Sequence, residues 1–215
     1  MKRLFLAINI LDDIKKKISK KKENLESMIP GADFTLPGAT HVTPQENWHL
    51  TLIFLGYQED EAVLPIINSM QNIVSSFNSP EIILNDISYA PPKGAPRMIW
   101  VNGTKETSQN LSSLKIALED ELIKNKVRFK LENREFNSHI TLARFVEMPK
   151  EELPEIGAEY KNLNWFFIPE SVDLMESHLS GSGVYPVKSS KAGAAKPQFN
   201  RARYEILQSI NFKED

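Results

Sequence analysis

Two four-residue stretches constrain this chain more than any other feature: His-Leu-Thr-Leu at 49–52 and His-Ile-Thr-Leu at 139–142. The chain has four histidines, and two of them occupy one context. Successive side chains of a β-strand point to opposite faces. The apolar second and fourth positions of each stretch therefore enter a core, while His49 with Thr51, and His139 with Thr141, line the opposite surface. Each stretch is reached through a helical segment, which suggests a weak internal duplication. The third His-x-Thr, at 41–43, runs straight into Pro44 in a segment rich in breakers. His41 is read as incidental and that segment as loop.

Around these two strands the pattern predicts an α+β fold, with helices packed on mostly antiparallel sheet. Residues 4–10 read as a compact apolar strand. A helix follows over 12–29, with Asp12 as N-cap and Ile14, Ile18, Leu25, Met28 and Ile29 on one face. Residues 31–46 read as loop, 48–55 as a strand stopped by Gly56, and 61–77 as a helix with Pro65 in its first turns. Strands are expected at 81–90, 98–101, 127–131, 138–145, 165–168, 172–179 and 204–212. A helix over 108–125 carries the stripe Leu111, Leu114, Leu118 and Leu122. One domain spans 1–215.

Composition then narrows the chemistry. Charged residues make up 25% and hydrophobic residues 41%, values of a globular chain, with net charge −2. Without a basic excess, an anionic ligand must be held by a local arrangement and not by the overall field. The chain has no cysteine, which removes disulfides, thiolate chemistry and Cys-based metal sites. That fits a reducing cytoplasm, the expected location. The start, MKRLFLAINILDD, imitates a signal peptide, but Asn9 interrupts its short apolar run and no cleavage site follows. No stretch approaches the roughly 20 apolar residues of a membrane span, so no membrane contact is expected.

Two such strands facing each other put two imidazoles and two hydroxyls around one anion. Imidazole titrates near pH 6.5, so one ring can take a proton from water while another gives one to a departing alkoxide. This is acid–base cleavage of a phosphoester without a metal or other cofactor. Threonine hydroxyls suit the non-bridging oxygens, and Arg144 is the natural phosphate clamp.

HLTLIFLG and HITLAR resemble the paired motifs of the two-histidine (2H) phosphoesterase superfamily. They are most similar to its bacterial and archaeal RNA 2′,3′-cyclic phosphodiesterase branch, once called the 2′–5′ RNA ligase family. RLFLAI, PQENWHLTLIFLG, PRMIWV and ESHLSGSGVYPV are similar to that family in the same order. The resemblance implies a bilobal fold with two sheets flanking a cleft, and hydrolysis of a cyclic phosphate at an RNA end to a 2′-phosphate. It also orders the histidines, which chemistry alone leaves open: His49 as proton donor to the leaving 3′ oxygen, His139 as the base on water. Thr51 and Thr141 would hold the phosphate. The partner implied is an RNA end, tRNA fragments among them, and a monomer is expected.

Some residues depart from that pattern or stand outside it. Ser138 replaces a proline common before the second histidine, which is expected to loosen the start of that strand. An insertion at about 188–203 carries Lys188, Lys191, Lys196, Arg201 and Arg203 without an acid. It reads as a flexible surface loop, with a basic flap on RNA as the alternative. KKKISKKK at 15–22 reads as a solvated helix face, with RNA contact as its alternative. Trp48, Phe5, Trp100 and Phe145 read as core, His178 as a surface histidine, and Tyr185 as a candidate base stacker. Competing functions are the same chemistry on ADP-ribose 1″,2″-cyclic phosphate or 2′–5′-linked oligonucleotides, minor ligation of tRNA halves, and a binding module without turnover.

Overall fold

The apolar run near the N-terminus forms β1 (Lys2–Asn9) inside a sheet, paired on both sides. In this computed structural model, residues 1–28, 40–145, 153–179 and 202–213 are described. The remaining elements are α1 (Asp12–Met28), β2 (Thr40–Val42), β3 (His49–Gln58), α2 (Val63–Val74), β4 (Ile82–Ala90), β5 (Met98–Gly103), α3 (Lys105–Lys124), β6 (His139–Phe145), β7 (Trp165–Phe167), β8 (Ser171–Leu179) and β9 (Ala202–Asn211). They build a four-stranded sheet in the order β3-β1-β8-β9 and a five-stranded sheet in the order β2-β6-β5-β4-β7. Neighbouring strands in both sheets are antiparallel. The expected α+β architecture with two antiparallel sheets is the one observed.

Strand alternation divides the apolar residues between two sides. Leu4, Leu6 and Ile8 of β1 join Leu50, Leu52, Ile140 and Leu142 in one core. The same core takes Ile14, Ile18 and Leu25 of α1, Ile66 and Met70 of α2, and the Leu111, Leu114, Leu118 and Leu122 stripe of α3. Each fully buried aliphatic side chain contributes about 1.5–3 kcal/mol, so this shared core fixes both sheets to the helices behind them. The opposite face of β1 carries Phe5 and Ala7, which meet Met175 and Tyr204 in a separate cluster. Among the described residues no helix is long and apolar enough to cross a membrane.

Several elements differ from the sequence pattern. Gly56 does not stop β3: it adopts φ +72° within the strand, and the ladder continues to Lys2↔Gln58. Residues 127–131 form no strand, although Val127, Phe129 and Leu131 alternate. Val127 and Phe129 pack on the core, and Gln58 Nε2 at the end of the edge strand β3 donates to the Arg128 carbonyl, a side-chain bond in place of a strand ladder. The segment at 40–42, read as loop, is β2 and pairs with β6 through His41↔Arg144. Helix α3 begins earlier than its apolar stripe because the Thr104 hydroxyl caps the Thr107 N–H at 3.1 Å. Ser138 is buried, its N–H donates to Ser108 Oγ at 3.1 Å, and its carbonyl accepts from Gly103. The start of β6 is therefore tied down and not loosened, by an N–H that proline lacks.

The lysines at 15–22 behave partly as a solvated face. Lys16, Lys17 and Lys20 are exposed, whereas Lys21 lies over the Tyr160 ring and Lys22 over Trp48. Met28's side chain, Ile29, Tyr185 and residues 188–201 of the insertion lie outside the described residues.

Candidate functional site

β3 and β6 approach each other where the two sheets meet, and each carries one of the paired motifs. Both strands show the same alternation from the histidine onward. His49 and Thr51 are half-buried, Leu50 and Leu52 fully buried; His139, Thr141, Ile140 and Leu142 repeat this.

The backbone then does the same thing twice. Ala7 pairs with Thr51 but Leu6 with Ile53, leaving Leu52 as an extra residue. Trp100 pairs with Thr141 but Ile99 with Ala143, leaving Leu142 extra. These are β-bulges, which re-aim the side chains beyond them. Strict alternation from Thr141 would turn Arg144 toward the core; the bulge brings it back to the face of the histidine and threonine. The equivalent residue of β3 is Phe54, paired with Phe5. A second bulge at Leu55 then brings Tyr57, paired with Arg3, to the same face. Going along β3, this face reads His49, Thr51, Phe54, Tyr57.

Each imidazole is held by the same contact. His49 Nδ1 donates to the Asn47 carbonyl at 2.7 Å, and His139 Nδ1 to the Asn137 carbonyl at 2.8 Å. A proton kept on Nδ1 by this bond leaves Nε2 of each neutral ring as the free lone pair. The repeat is thus longer than four residues: Asn-Trp-His-Leu-Thr-Leu and Asn-Ser-His-Ile-Thr-Leu. The asparagine was legible in the sequence at the same offset. Among the described residues, neither Nε2 atom nor either threonine hydroxyl has a hydrogen-bond partner.

Aromatic residues support both rings. Trp100 stacks on His139 with centroids 3.7 Å apart at 21°, and its own buried Nε1 has no partner among the described residues. Phe5 lies 5.0 Å from His49, and Tyr204 meets it edge-on at 5.1 Å. Phe5 and Trp100 are thus buried, as expected, but as supports of the imidazoles. Trp48 is plain core, its Nε1 bonded to the Thr43 carbonyl, and Phe145 packs beside Tyr89. His178 bonds Glu205 through Nε2 away from the motifs. Neighbouring strands extend the likeness: Asn9, opposite His49, donates to Asp173 at 2.5 Å, and Asn102, opposite His139, donates to Asp86 and Ser88 at 2.8 Å each.

Burial disfavours the charged imidazole. It is the main cause that lowers His49 to about 4, against the Asn47 carbonyl, with His139 and Arg144 adding to the depression. His139 is also lowered, first by burial, opposed by the Asn137 carbonyl and then reinforced by Arg134 and Arg144. Arg144 acts on both rings, so its charge lies near both. Its Nη1 rests 3.1 Å from Met98 Sδ. The result is a site with two neutral imidazoles, two free hydroxyls and one guanidinium, fit for an anion and for proton transfer on either side of it. Among the described residues no three His, Asp or Glu side chains gather closely enough to hold a metal ion.

The sequence matches the family model LigT like Phosphoesterase over residues 14–100 and 103–185. An RNA 2′,3′-cyclic phosphodiesterase of Methanocaldococcus jannaschii is 30% identical over 189 residues, 86% of this chain and 97% of the relative. Another, from Thermotoga maritima, is 31% identical over 147 residues, 68% and 72% of the two chains. Among solved structures, the Thermus thermophilus protein TT0787 is similar with a TM-score of 0.69 at 19% identity over 98% of both chains. E. coli LigT complexed with 3′-AMP is similar with a TM-score of 0.67 at 21% identity over 99% of both. These structural likenesses concern the fold.

Proposed function

The chain belongs to the LigT-like phosphoesterase family, and on that premise we propose that it hydrolyses the 2′,3′-cyclic phosphate at an RNA end to a 2′-phosphate. The observation that carries the reading is the matched pair of imidazoles. Each is fixed through Nδ1 with Nε2 free, and each has a free threonine hydroxyl two residues on.

In this reaction water attacks phosphorus, the new P–O bond forms, and the bond to the 3′ oxygen breaks. His139 Nε2 takes the proton from water; His49, protonated at Nε2, gives one to the departing 3′ oxygen. Exchange with solvent resets both rings. Thr51 and Thr141 donate to the non-bridging oxygens, and Arg144 holds the charge that the displacement spreads over them. A ring lowered to about 4 carries almost no proton to give at neutral pH in the free protein. The anionic substrate changes this, because a negative charge beside His49 favours the imidazolium. Substrate thus brings the acid its proton, and the base role falls to the ring that stays neutral, His139 in this assignment. The assignment of the two roles rests on the family resemblance, since the two rings are held alike.

The test is conversion of a 2′,3′-cyclic mononucleotide in excess EDTA, followed by phosphorus NMR. A 2′-phosphate is the expected product. His49→Ala and His139→Ala should each lose about 100- to 10,000-fold in rate while keeping the circular dichroism of the wild type. Full activity in either variant overturns the mechanism.

A further inference from the structure

Beyond the anion site, the cleft face of β3 continues into two exposed aromatic rings. Phe54 is 54% exposed and Tyr57 61% exposed, unusual for large rings on one strand face. Both owe their direction to bulges, at Leu52 and Leu55. Their partners Phe5 and Arg3 are two residues apart on β1, so Phe54 and Tyr57 are spaced by roughly 7 Å, as are Thr51 and Phe54. Arg3 stands opposite Tyr57 and is exposed. It makes no ion pair among the described residues. One row therefore carries phosphate-directed groups, a flat apolar ring, and then a second ring flanked by a guanidinium.

We propose that this row is a track for the RNA strand leading to the cyclic phosphate. Phe54 lies under the base of the terminal nucleotide, Tyr57 under its 5′ neighbour, and Arg3 against the phosphate that joins them. Aromatic faces stack on any base, and a cation beside them follows the backbone. Continuity with the anion site sets the direction, because the cyclic phosphate closes the 3′ end and the chain can leave only toward its 5′ side. Side chains at 54 and 57 that served only the fold would turn inward, as Leu52 and Leu55 do. The proposal rests on the cyclic phosphodiesterase reading and deepens it: the substrate is an oligonucleotide of any sequence, and a mononucleotide fills only part of the site.

Two measurements separate the track from that reading. The first compares kcat/KM on a cyclic-ended dinucleotide with kcat/KM on the cyclic mononucleotide. Wild type should favour the dinucleotide about ten-fold or more, and Tyr57→Ala should erase that preference. A wild-type ratio near one, or a ratio untouched by Tyr57→Ala, overturns the track and leaves the hydrolysis intact. The second uses a dinucleotide 2′-phosphate with 2-aminopurine at its 5′ base. Binding to wild type should quench the fluorescence, and binding to Tyr57→Ala should not. If quenching depends on Tyr57 while no substrate is hydrolysed, the track stands and the phosphodiesterase reading falls.

Discussion

At His49 the cost of burial and the demands of chemistry meet in one side chain. Phe5 and Tyr204 pack against the ring, and burial is the leading cause that lowers it to about 4 from 6.5. Between those values the unfolded chain binds the proton that the folded one refuses. Stability therefore falls as pH drops from 6.5 toward 4 and is unaffected by this residue above that window. An anion in the cleft reverses the preference by raising the ring's pKa, so its binding takes up a proton. A phosphate diester that does not itself titrate, such as dimethyl phosphate, should then bind more tightly as pH falls through 6.5–4. Calorimetry in two buffers of different ionisation enthalpy measures that uptake directly. Binding without proton uptake at pH 5.5 would mean that His49 does not sense the anion. The histidines and threonines were legible because a repeated polar pair in an apolar strand has little structural use. Phe5 and Trp100 were not, because burial looks the same in a sequence whether a ring packs on leucine or on imidazole.

For the strands, position depends on a few polar contacts at their ends. β6 starts where Ser138 and Ser108 share a buried hydroxyl pair at 2.9 Å and Ser108 also accepts the Ser138 N–H. Ser108→Ala leaves that N–H and the Ser138 hydroxyl buried without this partner. The expected loss is about 1–3 kcal/mol of stability, read as a lower urea midpoint at unchanged slope. No shift would mean that the serine pair does not anchor the strand. The expected helices and all but one expected strand were visible as periodicity in the sequence, because burial imposes period 2 or 3.6 on long segments. The bulges were not. At Leu52 and Leu142 the trace is a pair of adjacent core residues, Leu52–Ile53 and Leu142–Ala143, inside an alternating run; Leu55 has no such pair, and strict alternation sends Arg144 and Phe54 to the wrong side. At 127–131 the opposite error arose: the alternation is there and packs Val127 and Phe129 on the core, but the segment forms no strand.

Over the whole molecule, a net charge of −2 leaves RNA binding to a small number of local cations. Two phosphates held in the cleft and at Arg3 give a slope of about −1.4 for log K against log salt on single-stranded RNA. A ten-nucleotide cyclic-ended RNA bound to His139→Ala should show that value, the same as a dinucleotide. A much steeper slope for the longer RNA would bring further cations into contact, with the lysines and arginines at 188–203 as the first to remove. The two lobes meanwhile pose a question of polarity. Each offers an imidazole on the same leash, a hydroxyl at the same step and a bulge at the same point. Such a pair has no built-in forward direction, because an anion turned end for end would find the same acid and base with their duties exchanged. Beside the different aromatic supports of the two rings, the lobes differ at the residue five places after each histidine, an aromatic ring at 54 and a cation at 144. Like the offset pin of a keyed plug, that mismatch would, in the proposed reaction, decide which way round a substrate sits, and so which histidine begins the reaction holding the proton.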